Sequence, residues 1–223
     1  MKKFLAHALL SFFLSAQALK ADSAFKIDGL RLGFGLGIQN FGIKPTILST
    51  FSDVFLSKSG FETLCQISYI GAVTDTFALG AEIYASLPFI KMSLPDFDTN
   101  KTQQIFGQQL PPNVKILITA EPLSSIGFNA PLGMHESGNL AALKIGYQSS
   151  HIQFKATTPT AEVISSFNAG GLSIGILLEG HITKNVTTGL SFTWYEGSGK
   201  HKGDTEKTKV QTFSFQTRFS YKF

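Results

Sequence analysis

The sequence predicts an all-β chain: a closed antiparallel transmembrane β-barrel of eight strands, preceded by a cleaved signal peptide. Three observations carry this expectation. Side chains alternate apolar and polar with period two over many short segments. Charged residues make up 15% of the 223-residue chain, against roughly 25% in ordinary soluble domains. The N-terminus has the order of a secretory signal. Beyond that signal, no uninterrupted apolar run approaches the ~18 residues of a spanning helix. A chain this poor in charge must hide its apolar surface in another way. In hydrocarbon, only helices and closed barrels give every backbone N–H and C=O an internal partner.

The signal comes first. Lys2 and Lys3 supply a positive start, and Phe4 to Leu14 is apolar apart from His7 and Ser11. Ala16-Gln17-Ala18 then gives the small-x-small pattern of a cleavage site. Residues 1–18 are therefore expected to be removed, with Ala21 or Ala24 as later cut points. Residues 25–223 form a single barrel domain. No cysteine follows the apolar run, which argues against lipoprotein processing. The lone Cys65 leaves an exported chain without an internal disulfide. Net charge is +4, part of it in Lys2 and Lys3, and the dispersed remainder gives no case for nucleic acid.

The strands follow in order. Leu30, Leu32, Phe34, Leu36 and Ile38 share one face, and Gly29, Arg31, Gly33, Gly35, Gly37 and Gln39 share the other. Glycine on an inner face suits a narrow barrel, where backbones and bulky side chains crowd. Cys65, Ile67, Tyr69 and Val73 form the second apolar row, and Phe77, Leu79, Ala81, Ile83 and Ala85 the third, across a tight turn at Thr74-Asp75-Thr76. Val114, Ile116, Ile118 and Ala120 are read as the fourth outward row, Ala141 to Tyr147 as the fifth and Leu172 to Leu178 as the sixth. Val186, Leu190, Phe192 and Trp194 follow a short turn at residues 183–185. Phe213, Phe215, Phe219, Tyr221 and Phe223 close the series.

Long polar intervals at 40–60, 88–112, 156–168 and 197–207 alternate with short links at 74–76 and 183–185, and the link at 131–139 is intermediate. Short periplasmic turns and long extracellular loops are the expected asymmetry of such barrels. Two places strain the pattern. Pro122 sits between the row ending at Ala120 and the apolar positions Ile126, Phe128 and Ala130. Either one strand is kinked there or a hairpin divides two strands; the second choice, with a strand at Glu162–Phe167, gives ten. Parity also slips at Ser149-Ser150-His151, where a bulge is expected.

Together, the signal, the alternating strands and the terminal aromatic ladder resemble the small outer-membrane barrels of Gram-negative bacteria, the group typified by the OmpA transmembrane domain. The resemblance covers nearly the whole mature chain. It implies an integral outer-membrane location among lipid and lipopolysaccharide. It also implies that Phe219, Tyr221 and Phe223 form the signal read by the barrel-assembly machinery.

Candidate functional residues are few. Arg31, Glu82, Lys115, Lys144, Glu179 and Arg218 all fall on the polar parity of their strands. An eight-stranded barrel is just wide enough inside for side chains to fill it. Buried charges need partners, so the expectation is a salt-bridge plug, with an ion path as the alternative that ten strands would favour. Ser149 and His151 share a face near a rim, but no acid is close enough in sequence to complete a triad. Asp96 and Asp98 lack a local His, and His7, His135, His181 and His201 are scattered. No metal-ligand spacing appears. The glycines at 29, 33, 35 and 37 lie in a strand with no helix after it, which is not a phosphate cradle.

The functional expectation is a non-enzymatic, cofactor-free barrel with a structural or surface-interaction role. Its lumen is plugged, and four extracellular loops are open to lipopolysaccharide or to an extracellular or host ligand. The alternatives are a narrow porin-like channel, a transporter of a small apolar solute, and, behind both, a rim-site lipid-modifying enzyme. Gly199 to Lys209, a segment of mixed charge, is read as a solvated loop.

Overall fold

The computed structural model describes residues 27–44, 56–93, 117–158, 162–200 and 207–223. Among these the chain is all β. Its strands are β1 (Gly29–Lys44), β2 (Leu56–Ala72), β3 (Phe77–Phe89), β4 (Met92–Ser93), β5 (Leu117–Glu136), β6 (Asn139–Thr157), β7 (Glu162–His181), β8 (Val186–Gly199) and β9 (Thr208–Lys222). Each pairs antiparallel with its neighbour, and β9 returns to β1 from Arg31↔Lys222 to Lys44↔Lys209. The sheet therefore has no lateral edge around its circumference, which meets the requirement of a backbone placed in lipid.

The two-residue β4 prolongs β3 on the same partner, since Met92↔Ala120 follows Ser86↔Ser125 along β5. The barrel thus has eight staves, and the ten-stranded alternative is set aside. Pro122 does not begin a hairpin. Its strand is continuous, with a register shift between Pro122 and Ser124. This extra residue reverses the facing of the chain, so Ile118 and Ala120 are buried in the lumen while Ile126 and Phe128 face out. The expected outward row at 118 and 120 is thereby corrected. Val114, Lys115 and Ile116 lie outside the described residues, as do the signal peptide, Asp96, Asp98 and His201.

The bulge expected at Ser149–His151 is absent. β6 keeps one register with β7 from Leu140↔Glu179 to Thr157↔Glu162. The parity slip has another cause: Ile152 and Phe154 remain on the inner face, and there the lumen itself becomes apolar. The strands also run further than the long intervals implied. β1 continues to Lys44, β2 starts at Leu56, and β7 absorbs the segment Glu162–Phe167. β5 and β7 have 20 residues each, about twice the 9–11 that cross a bilayer.

At the turn end the links are short. The link at 131–139 is a two-residue hairpin turn between Glu136↔Asn139. Ser137 has φ 50° and Gly138 φ 82°, the pair of positive values that matches the twist of a tight hairpin. Outward faces carry Leu32, Phe34, Ile67, Ile83, Phe128, Phe215 and Tyr221, all exposed. Over β3 the apolar row runs through a strand of 13 residues. At about 3.3 Å per residue and a tilt near 45° this is about 28 Å of height, close to the band of a membrane barrel.

The lumen as candidate functional site

The interior is built in three layers. At the turn end Ile27, Ile70, Ala78, Leu140, Ala142 and Leu177 form a small apolar cluster. The middle is polar and charged. At the loop end a larger apolar cluster forms around Phe41, Ile43, Ile118, Ile152, Phe154 and Val210.

The middle layer arises because five polar-parity side chains from different staves converge. Arg31 of β1 pairs with Glu179 of β7, and its guanidinium also donates to the Ile27 carbonyl at 2.5 Å. Arg218 of β9 pairs with Glu82 of β3. Lys144 of β6 lies 3.6 Å from the other Glu82 oxygen and donates to Ser191 Oγ at 2.7 Å. Asn129 Nδ2 donates to that same Glu82 oxygen at 2.9 Å, and Ser173 Oγ donates to Asn129 Oδ1 at 2.9 Å. Glu82 is thus held by groups from three other staves. Each of these charges is nearly or fully buried, so each needs the others.

Sequence reasoning did not include Glu62 in this layer. It is 2% exposed, and it accepts from Gln216 Nε2 at 2.8 Å and Gln39 Nε2 at 3.3 Å. The signal is present in the sequence: Glu62, Leu64 and Gln66 continue one parity, although the apolar row of the second strand starts only at Cys65. With Glu62, three buried carboxylates face three buried cations, Arg31, Lys144 and Arg218. Other hydrogen bonds line the lumen. Tyr84 OH donates to Gln148 Oε1 at 2.8 Å, Gln148 Nε2 to Ser150 Oγ at 2.9 Å, and Gln66 Nε2 to Ser220 Oγ at 3.2 Å. The cavity left beside Glu62 and Lys144 has about 10 Å³, room for roughly one water.

Ser149 and His151 do face the same side of β6, but no hydrogen bond joins them. The His151 ring instead donates through Nδ1 to Asn168 Oδ1 at 2.8 Å. Asn168 thus occupies the orienting place that a carboxylate takes in most triads, while the Ser149 hydroxyl is not bonded to the imidazole. Among the described residues, no group of His, Cys, Asp and Glu is arranged to hold a metal.

Phe219, Tyr221 and Phe223 stand in one outward row. The Tyr221 and Phe223 rings meet edge-on at 5.1 Å. Phe223 is also tied by its backbone, donating to the Leu30 carbonyl at 3.0 Å. The last residue therefore belongs to the seam that closes the barrel.

No protein-family model matches the chain, and no curated protein sequence matches it. Solved structures do resemble it. The attachment invasion locus protein Ail of Yersinia pestis is 11% identical, with 88% of this chain and 99% of that one aligned at a TM-score of 0.42. Neisserial surface protein A is 11% identical, covering 86% and 97%, at 0.45. The outer-membrane protease OmpT of Escherichia coli is 9% identical, covering 89% and 98%, at 0.40. Antiparallel topology, closure of β9 on β1 and an outward apolar belt make this chain a closed eight-stranded antiparallel barrel.

Proposed function

We propose that the protein is an integral outer-membrane barrel with a sealed lumen, acting in membrane structure and surface interaction rather than as a pore. The observation that carries this reading is the meeting of Arg31 with Glu179 and of Arg218 with Glu82 across the axis. An ion crossing the barrel would have to break these pairs in a low-dielectric interior. The apolar layer above them adds a second obstacle. In this orientation residues 1–18 are the removed leader, the short turns face the periplasm, and the long connections reach outward to lipopolysaccharide or an extracellular ligand. Phe219, Tyr221 and Phe223 present the chain to the barrel-assembly machinery.

The test is planar-bilayer recording of the refolded protein. A silent bilayer, with insertion verified by protease protection, is expected. Steady single-channel steps would overturn the sealed barrel in favour of a narrow channel.

A further inference from the structure

Ser149 and His151 belong to a column on the outer face of β6 that the seal of the lumen does not use. From the belt upward it runs Leu143, Ile145, Tyr147, Ser149, His151. The apolar row of β6 ends at the exposed Tyr147. On β7 it ends at Leu172, and Gly170 and Asn168 follow on the same face. A tyrosine followed by polar side chains marks the height at which hydrocarbon gives way to headgroups. The ester linkages of membrane lipids lie at that boundary, against this patch.

Neighbours in sequence offer these two residues no orienting group; the fold supplies one. β6 and β7 set His151 opposite Asn168 and Ser149 opposite Gly170. The 2.8 Å bond from His151 Nδ1 to Asn168 Oδ1 selects the tautomer, so Nε2 keeps its lone pair and can take a proton. Ser149 is two residues away on the same face, about 7 Å along the strand. A turn of the serine about χ1 shortens the gap to the imidazole, and contacts of this kind tighten when substrate binds. On the belt side of Ser149, the Tyr147 hydroxyl lies over Gly170, in the space that a side chain there would fill. Opposed residues have Cβ positions about 4.5–5.5 Å apart, so that hydroxyl is a donor beside the serine. A hydroxyl nucleophile, a base, an orienting amide and a donor for a developing oxyanion thus share one outward surface.

We propose that Ser149, His151, Tyr147 and Asn168 form a hydrolytic site for the acyl ester of an outer-leaflet lipid. The inference rests on the membrane placement given above. The substrate needs no pocket, because the site faces the lipid and the exposed Leu143, Ile145 and Leu172 below it meet the acyl chain. Ser149 Oγ attacks the ester carbonyl carbon while His151 Nε2 takes the hydroxyl proton. The carbonyl oxygen, now negative, accepts from the Tyr147 hydroxyl. The bond from that carbon to the alkoxy oxygen breaks, and the leaving oxygen receives the proton from His151. Water then attacks the acyl-serine, gives a proton to Nε2, and that proton returns to Ser149 as the acid departs. One ester and one water become a fatty acid and a lysolipid. Asn168 is a positioning residue, acting through His151.

The experiment places the refolded protein in vesicles of dioleoyl phosphatidylethanolamine, with and without lipopolysaccharide, and measures released fatty acid by mass spectrometry. A long-chain alkylsulfonyl fluoride is the second probe, because it labels an activated serine at a position that peptide mapping reads. Fatty-acid release and a label on Ser149 are expected, and Ser149→Ala should abolish both. His151→Ala should slow release by about 10²–10⁴-fold. Tyr147→Phe should lower kcat by about 10²–10³-fold with KM unchanged. Asn168→Ala should lower kcat and Asn168→Asp restore most of it, a rescue that a merely structural role would not show. Heat-modifiable migration checks that each variant folds. Release of oleate or of a lipopolysaccharide acyl chain supports the site and tells which lipid it takes. Absence of release, release that Ser149→Ala leaves unchanged, or a label on another serine overturns the site. Quenching of Trp194, on the outer side of β8, by lipid brominated in mid-chain reports the membrane placement separately. Quenched Trp194 without hydrolysis overturns the site alone, and unquenched Trp194 overturns the placement.

Discussion

Arg31 and Glu179 lie 148 residues apart in sequence and form a buried ion pair across the lumen, joining β1 to β7. Neither side chain has water to fall back on. Arg31→Ala leaves a buried carboxylate unpaired, and Glu179→Ala leaves a buried guanidinium, so each should cost about 3–5 kcal/mol. Arg31→Met with Glu179→Leu removes both charges and should cost less than the sum of the two single changes. Urea unfolding in vesicles, followed by Trp194 emission, measures all three.

The seal has two layers, so opening one should not be enough. Glu82→Ala with Arg218→Ala removes an ion pair of the charge layer but leaves the apolar cluster around Ile152 and Phe154 in place. This variant should remain silent in bilayer recordings. Adding Ile152→Ser and Phe154→Ser lets water into the upper lumen and should produce conducting events. Conduction by the double variant alone would show that the ion pair is the whole barrier.

Tyr84 and Gly127 test how tightly the lumen is packed. A Cβ on Gly127 would stand 2.3 Å from Tyr84 Cζ, which real atoms do not allow. Gly127→Val must push the ring away and break its 2.8 Å bond to Gln148. Overpacking of this kind should cost about 1–3 kcal/mol. Tyr84→Leu in the same chain should recover part of the loss, read from urea midpoints.

Phe223 separates assembly from stability. Its side chain is 70% exposed and its backbone makes the closing bond to Leu30. Phe223→Ala keeps that bond, so the refolded protein should unfold within about 0.5 kcal/mol of the parent. In cells, the same change should slow arrival in the outer membrane, seen as less heat-modifiable protein and more periplasmic degradation.

Period two in the sequence located the staves because one face of each meets lipid and the other meets a polar lumen. It held from Leu30 to Ile38 and from Phe213 to Tyr221. It failed where that contrast disappears. At Ile118, Ala120, Ile152 and Phe154 the inner face is apolar too, so alternation no longer tells inside from outside. Pro122 could be seen to disturb the pattern, but one sequence could not distinguish a hairpin from a bulge. Arg31, Glu82, Lys144, Glu179 and Arg218 were visible as inward charges, yet their pairing was not. Which stave faces which depends on the curvature of the closed sheet. Glu62 is hidden in the sequence because its polar neighbours give its part of the strand the composition of a loop.

Closure of β9 onto β1 has a consequence for the order of events. The outer side of β1 finds its hydrogen-bonding partners only in the last stretch of the chain, from Lys209 to Lys222. Until that stretch is delivered, the earliest strand exposes a row of bare amides and carbonyls that hydrocarbon will not tolerate. β1 therefore cannot complete its pairing before the stretch from Lys209 to Lys222 has arrived beside it.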